Sequence, residues 1–212
     1  MFVELLRSKL GSLRKLSDEQ IEQMRQHYDL LVRWNKVLNL TAIRTLEEAV
    51  QRHYCESVFA ALHLPESQIS IADLGSGAGF PGIPIAIVRP DCSVTLIESH
   101  QRKAAFLSEA ARGLPNVRVL GKRSEDVHER FDWVVSRAVR YLSVVKDIKR
   151  LGGSVELLTG EVCLSDLPGI SWSLTIRLPW GDHRLLWIAE DVSRETVSRN
   201  RDSMAAWEES SR

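Results

Sequence analysis

The sequence predicts an α/β fold, a mostly parallel seven-stranded Rossmann-like sheet behind an N-terminal helical cap. Two patterns carry the prediction. From residue 69 onward short β-branched and aliphatic runs alternate with amphipathic stretches, whereas the residues before it repeat their apolar positions only at helical spacing. A chain of 212 residues, 44% hydrophobic and 26% charged, is long enough for one such domain with an appendage and too short for two full domains. We divide it into a cap over 1–66, a sheet domain over 67–192 and a polar tail over 193–212.

Element by element, Ser17 and Gln20 read as a capping box ahead of a helix with Ile21, Met24, Tyr28, Leu31 and Val32 on its apolar face. A second amphipathic stretch runs from Leu46 to Leu64 and stops at Pro65. Between the two, Asn35, Asn39 and Thr41 suit a structured turn more than a helix interior. Strands are then expected at 69–74, 94–98, 117–120, 133–136 and 154–158, with helices at 83–89, 101–111 and 142–151 after the first, second and fourth. Two last strands, 172–178 and 185–190, are joined through Pro179 and Gly181 and close the sheet as a hairpin.

The first strand ends in an acidic residue and releases into a glycine loop, ISIADLGSGAGFPGIP over residues 69–84. Gly75, Gly77 and Gly79 let the chain turn with no Cβ in the way of a ligand, at the carboxyl end of a parallel strand, where ligands of open α/β sheets bind. Gly77, Gly79 and Gly82 also match the dinucleotide spacing G-x-G-x-x-G, which brings in a nicotinamide or flavin alternative. Against that alternative, Gly75 already takes the strand end and Pro81 and Pro84 crowd the third glycine. The Asp73 carboxylate would also repel a pyrophosphate, while it can hold an ammonium group directly or through water. S-adenosylmethionine is therefore the expected cofactor, and the sheet that of a class I S-adenosylmethionine-dependent methyltransferase.

Glu98 ends the second strand about twenty residues beyond the loop, where its carboxylate can accept both ribose hydroxyls of an adenosine ligand. Ser124 and Glu125 follow the third strand, where an adenine ring would be bracketed, although Ser124 with Glu125 and Asp126 also reads as a helix N-cap with an acidic first turn. Arg137 ends the fourth strand on the same edge and is expected to orient a phosphate or a base edge at the reacting centre; it cannot serve as a base. That position reads SRAV. It carries neither the D/N-P-P-Y/F signature of exocyclic amine methylation nor the cysteine that covalent C5 methylation of pyrimidines needs.

Lys and Arg total 28 and Asp and Glu 28, so net charge is zero, but residues 99–150 carry twelve basic against six acidic side chains and residues 151–212 six against ten. The basic middle leaves room for a local positive face. Cys55, Cys92 and Cys163 are odd in number and far apart, which suggests neither a disulfide framework nor zinc. His53, His63 and His100 lack metal-ligand spacing and read as structural or solvent-facing, so no metal is expected. Trp34 and Trp133 read as packing residues. Charges run through the apolar N-terminal stretch, which argues against a secretory signal, and no run approaches a membrane span, so a cytoplasmic protein is expected.

With WNKVLNLTAIR, RHYCES, DLGSGAGFPGIP, Glu98-Ser99 and FDWVVSRAV in one order over residues 34–160, the chain resembles the ribosomal RNA small subunit methyltransferase G family, the glucose-inhibited division protein B type. The resemblance implies transfer of a methyl group from S-adenosylmethionine to N7 of a guanine in 16S rRNA, in the 530 loop of the small ribosomal subunit. It carries Phe80 into the site beside Gly75, Ser124, Glu125 and Arg137. The full cofactor set is then Asp73, Gly75, Ser76, Gly77, Gly79, Phe80, Glu98, Ser124, Glu125 and Arg137, with Arg137 also the catalytic candidate. Guanine N7 has a free lone pair, so no general base is expected, and positioning is left to do the work. The chain departs from the family at Glu56, where an aspartate is usual, and at Thr159 and Glu190, where lysines are usual. Loss of two cations should weaken phosphate contacts. The expected partner is 16S rRNA or the small subunit, met by a monomer. Rival readings are a methyltransferase of the same fold acting on another RNA or a small molecule, and a non-catalytic binder of S-adenosylmethionine or RNA.

Overall fold

In the computed structural model, Ser17 and Gln20 close the expected capping box: the Gln20 N–H donates to Ser17 Oγ at 3.2 Å and the Ser17 N–H to Gln20 Oε1 at 3.0 Å. The structure describes residues 1–11, 13–137, 141–160, 164, 169–181 and 183–192; Cys163 and the tail 193–212 lie outside them. The capping box starts α2 (Asp18–Leu38), which packs beside α1 (Phe2–Leu10), a short helix burying Phe2, Leu6 and Leu10 at i, i+4, i+8 spacing. Ile21, Met24 and Leu31 of α2 are buried as expected, but Val32 is 43% exposed. Asn35 belongs to α2 and not to the turn: its side chain reaches forward instead, accepting from the Thr41 N–H at 2.9 Å and donating to Thr41 O at 3.0 Å. One amide thereby does for Thr41 what a β-bridge would do, after Asn39 has ended the helix in a left-handed conformation at φ 45°.

The stretch expected as one amphipathic helix is three pieces in a row: α3 (Leu46–Glu48), a π-helical segment (Ala49–Cys55) and α4 (Glu56–Ala61). Widening to i→i+5 pairing adds a residue to the turn, so the positions after it rotate relative to an ideal α-helix; such segments recur at functional sites. Here the widened piece carries Arg52, His53 and Tyr54.

After the cap the chain alternates β1 (Ser70–Leu74), α5 (Gly82–Val88), β2 (Ser93–Ile97), α6 (Gln101–Ala110), β3 (Val117–Leu120), β4 (Phe131–Arg137), α7 (Tyr141–Leu151) and β5 (Gly152–Thr159), then β6 (Leu174–Arg177) and β7 (Leu185–Ala189). The seven strands lie in the order β3-β2-β1-β4-β5-β7-β6. Neighbours from β3 to β5 are parallel, and β7 is antiparallel to both β5 and β6. Strand order reverses between β1 and β4, which opens a crevice at their carboxyl ends. Leu74 of β1 sits level with Ile97 of β2 and Ser136 of β4, so three strands bring their carboxyl ends to one edge.

Each face of the sheet is covered. On one, Ala72, Leu74, Val134, Val155 and Leu157 pack with Ile148 and Leu151 of α7. On the other, a single apolar cluster runs from Phe2, Leu6 and Met24 through Tyr54 and Phe80 to Leu158 and Leu186. Cap and sheet therefore share a core. Trp34 and Trp133 do pack as the sequence suggests, Trp34 also donating its indole N–H to Glu109 at 3.1 Å and so holding α2 to α6. Among the described residues no helix is long and apolar enough to cross a membrane, and no group of three His, Cys, Asp or Glu is placed to hold a metal ion.

Candidate active site

The glycine loop leaves β1 with three left-handed residues, Gly75 at φ 71°, Gly77 at 54° and Gly79 at 87°. Most side chains are strained in that region, so these positions favour glycine. The chain stays tied to its neighbour as it turns, since the Gly75 and Ser76 N–H groups both donate to Ile97 O, at 2.9 and 3.2 Å. Beneath the turn lies Asp73. Its Oδ2 accepts from the Gly82 N–H at 3.0 Å and it has no exposed surface, so it works on the loop from below and does not line the cavity where an ammonium group would sit. Its other oxygen has no partner, and burial pushes its carboxyl up to about 7 against the opposing Gly82 hydrogen bond. A Cβ on Gly82 would fall 2.4 Å from Leu96 Cδ2 and 2.6 Å from Asp73 Oδ2. Gly82→Ala should accordingly cost about 1–3 kcal/mol in urea unfolding and abolish S-adenosylhomocysteine binding in calorimetry; wild-type binding would mean that the loop does not depend on this contact.

Phe80 explains why the loop needs an aromatic residue. Its ring stacks on His53 with centroids 4.3 Å apart and planes 9° apart, meets Tyr54 edge-on at 5.1 Å and packs against His27 at 5.1 Å. His27 is a second tether: its Nε2 donates to Ala78 O of the loop at 3.0 Å while its Nδ1 accepts from the Tyr54 hydroxyl at 3.0 Å. A carbonyl oxygen only accepts, so His27 is the neutral Nε2–H tautomer, and burial holds its pKa down at about 4. His53 pairs with Thr41 Oγ1 at 2.8 Å, leaves Nδ1 buried without a partner, and is driven down to about 2 by burial and then by the charge of Arg137. It is a structural histidine, as its sequence context suggests, but one that lines the site. His63 accordingly bonds Phe59 O, and His100 is exposed.

A cavity of ≈ 430 Å³ opens at the β1/β4 switch point, lined by Gly75, Ser76, Gly77, Ala78 and Phe80 of the glycine loop, by Arg137 of β4, by Arg184 just before β7 and by Thr41, Arg52 and His53 of the segment before β1. Glu98 is one hydrogen bond away: Oε2 accepts from the Gly77 N–H at 3.0 Å and Oε1 from the His100 N–H at 2.7 Å. Each carboxylate oxygen keeps an acceptor position, which is what a ribose diol requires, so loop and carboxylate fit S-adenosylmethionine. Ser124 and Glu125 stand outside this lining. They form a short 3₁₀ turn over Ser124–Asp126, in which Ser124 does not cap a helix; its hydroxyl donates to Asp147 at 2.5 Å, and Glu125 is exposed beside Arg123. A larger cavity, ≈ 620 Å³, lies between α2, α5 and α6 and shares only His27 with the site region. It is off the carboxyl edge, where the strand ends place chemistry.

Arg137 reaches across from β4 to donate to Arg52 O at 2.6 Å, with its guanidinium carbon 5.9 Å from the Phe80 ring centre. Burial lowers its pKa to about 10, which leaves it charged at neutral pH. Arg52 and Arg184 are the site residues that sequence reading missed, although RHYCES contains the first. Arg184 is held by a two-point ion pair with the buried Glu56, Nε to Oε1 at 3.0 Å and Nη2 to Oε2 at 2.7 Å. The two lost lysines are not equivalent. Thr159 pairs with Leu185 at the carboxyl edge beside Arg184, whereas Ala189 pairs with Val155, which puts Glu190 at the opposite end of the strands from the site. Of the two positions, only Thr159 lies at the site's end of the sheet.

The sequence model of the rRNA small subunit methyltransferase G family matches residues 20–162. The chain is 41% identical over 201 residues to the ribosomal RNA small subunit methyltransferase G of Lactococcus lactis subsp. cremoris, covering 83% of this chain and 84% of that one. It is 33% identical over 191 residues to that of Bacillus cytotoxicus, covering 83% and 80%. Similar folds are found in the ribosomal protein L11 methylase of Lactobacillus delbrueckii subsp. bulgaricus, with TM-score 0.55, 15% identity and coverage of 66% of this chain and 80% of that one. A SAM dependent methyltransferase from Aquifex aeolicus gives TM-score 0.55, 17% identity and coverage of 68% and 93%.

Proposed function

Because the chain belongs to the rRNA small subunit methyltransferase G family, we propose that it methylates N7 of a guanine in the 530 loop of 16S rRNA, in the small ribosomal subunit, with S-adenosylmethionine as donor. The observation that carries the reading from family to chemistry is the make-up of the cavity. Its described lining is backbone, apolar groups, hydroxyls, guanidinium groups and one histidine whose basicity burial holds at about 2, so nothing there is suited to removing a proton at neutral pH. Guanine N7 needs no such group, since its lone pair is free.

When bound, S-adenosylmethionine supplies an electrophilic methyl group. The loop at Gly75, Ser76, Gly77 and Gly79 would hold its amino-acid part, Glu98 its ribose, and Ser124 and Glu125 its adenine. Asp73 keeps the loop in shape through Gly82. Phe80, seated on His53, gives the cavity an apolar wall. Arg137 orients the acceptor, and the rate gain comes from holding donor and acceptor in one geometry. The guanine must be accessible in the folded RNA or splayed from its stack, because side chains do not readily reach into the deep groove of an A-form helix. The enzyme acts as a monomer in the cytoplasm.

Labelled S-adenosylmethionine offered with free rRNA and with assembled small subunits tests this. The expected result is label at one guanine of that loop, located by cleavage at 7-methylguanine and reverse transcription. Label at another position or on a small molecule would reassign the acceptor. Tight S-adenosylhomocysteine binding with no transfer to any RNA would leave a binding protein.

A further inference from the structure

Three guanidinium groups line the same cavity, and the donors they have left can be counted. Arg184 commits Nε and Nη2 to Glu56 and keeps Nη1. Arg137 commits Nη1 to Arg52 O and keeps Nε and Nη2. Among the described residues Arg52 has only Glu48 at 3.7 Å, with both side chains 49% exposed, a pairing too wet and too long to occupy it. Glu56 is 1% exposed, and both of its oxygens are bonded to Arg184. Among the described residues the cavity lining therefore gathers three guanidinium groups and no carboxylate, and the nearest bonded one, Glu56, is committed to Arg184. The effect of that crowding is visible at His53, where Arg137, Arg184 and Arg52 each disfavour protonation after burial has done so.

Crowded guanidinium donors with no partner of their own call for an anion, and the charge of the methyl donor says which. S-adenosylmethionine brings one carboxylate but two positive centres, an ammonium and a sulfonium, so it does not relieve the excess. The RNA does. We propose that Arg52 and Arg184, with the remaining donors of Arg137, form an oxyanion subsite beside the methyl donor that takes a backbone phosphate of the acceptor strand. This rests on the RNA reading above. Planar forks pre-set by Glu56 and by the Arg52 carbonyl suit two-point contact with phosphate oxygens.

The test uses the full chain, assembled small subunits and two variants. Arg52→Gln removes a half-exposed charge. The pair Glu56→Gln with Arg184→Gln removes both members of the buried ion pair together, so no lone charge is left inside. Subunit affinity is measured across a salt series and S-adenosylhomocysteine affinity by calorimetry. Expected is roughly a tenfold loss of subunit affinity for each variant, a salt slope shallower by about 0.7 to 0.9 for each phosphate no longer neutralised, and unchanged S-adenosylhomocysteine affinity. Weaker S-adenosylhomocysteine binding with an unchanged salt slope would give the subsite to the cofactor carboxylate and overturn the proposal. Unchanged values in both for Arg52→Gln would overturn it too, even if the double variant failed to fold. Wild-type protein that neither binds nor methylates subunits or free rRNA would remove the RNA reading itself, and the phosphate subsite with it.

Discussion

Arg137→Ala is expected to lower kcat/KM for methyl transfer by about a hundredfold or more, as loss of a single pre-positioned charged donor at a reacting centre does elsewhere. Its melting point should fall only modestly. The asymmetry follows from where the side chain is anchored. Its visible structural service is one hydrogen bond to Arg52 O and a contact with the Phe80 ring, together worth about 2–4 kcal/mol. The sheet beneath is held by other residues: Ser136 donates to Leu74 O at 2.6 Å, and Val134 and Val135 are fully buried. Arg137→Lys keeps the charge and loses the fork, and should recover a minor part of the rate. Turnover of the alanine variant at the wild-type level would take Arg137 out of the site, and a parallel loss of cofactor binding would make it a cofactor contact first.

Glu156→Leu should make the protein more stable, and more so at pH 7.5 than at pH 5. Glu156 sits in the middle of β5, level with Val135 and Ile188, 1% exposed and with neither carboxylate oxygen bonded. Burial raises its pKa well above the ordinary value. In the unfolded chain it ionises near pH 4.3. Above that pH the unfolded state sheds a proton that the folded state keeps, so each further pH unit costs the folded state about 1.4 kcal/mol until the folded pKa is reached. Stability linked to Glu156 is thus fully present below the unfolded pKa and drains away as pH rises. Asp73, raised to about 7, adds a loss of the same sign in both proteins and cancels from the difference. We expect the leucine variant to gain at least about 2 kcal/mol at pH 7.5 and much less at pH 5, read from urea midpoints. Parallel pH curves for the two proteins would show that Glu156 is not carried neutral in the core.

How much of the molecule is legible in its sequence depends on the range of the interaction. The capping box at Ser17, the strand runs and the glycines are visible because each is decided by neighbours within a few residues. The glycine loop even announces its left-handed turns, since Gly75, Gly77 and Gly79 are spaced as positive-φ positions require. The π-helical segment is not visible: amphipathic spacing over 46–64 reads the same whether one turn is widened or not. Asn35 looks like a turn residue because its side chain serves the turn, while its backbone stays in α2. Arg52 and Arg184 escape a sequence reading because their meeting is long-range, with a sequence separation of 85 from Arg52 to Arg137 and of 128 from Glu56 to Arg184. Asp73 reads as a ligand group, and its burial and its bond to the Gly82 N–H, which give it a second task under the loop, are not visible in the sequence.

Phe80 gives the glycine loop a property that its composition conceals. A run with four glycines in eight residues is ordinarily the stretch of backbone with the most freedom to lose when a ligand arrives. Here the loop's aromatic side chain is embedded among His27, His53 and Tyr54, and its carbonyl at Ala78 is bonded to the cap. Its ordering is completed when the core forms, so the ligand meets a surface already in shape and binding energy is not diverted into stilling it.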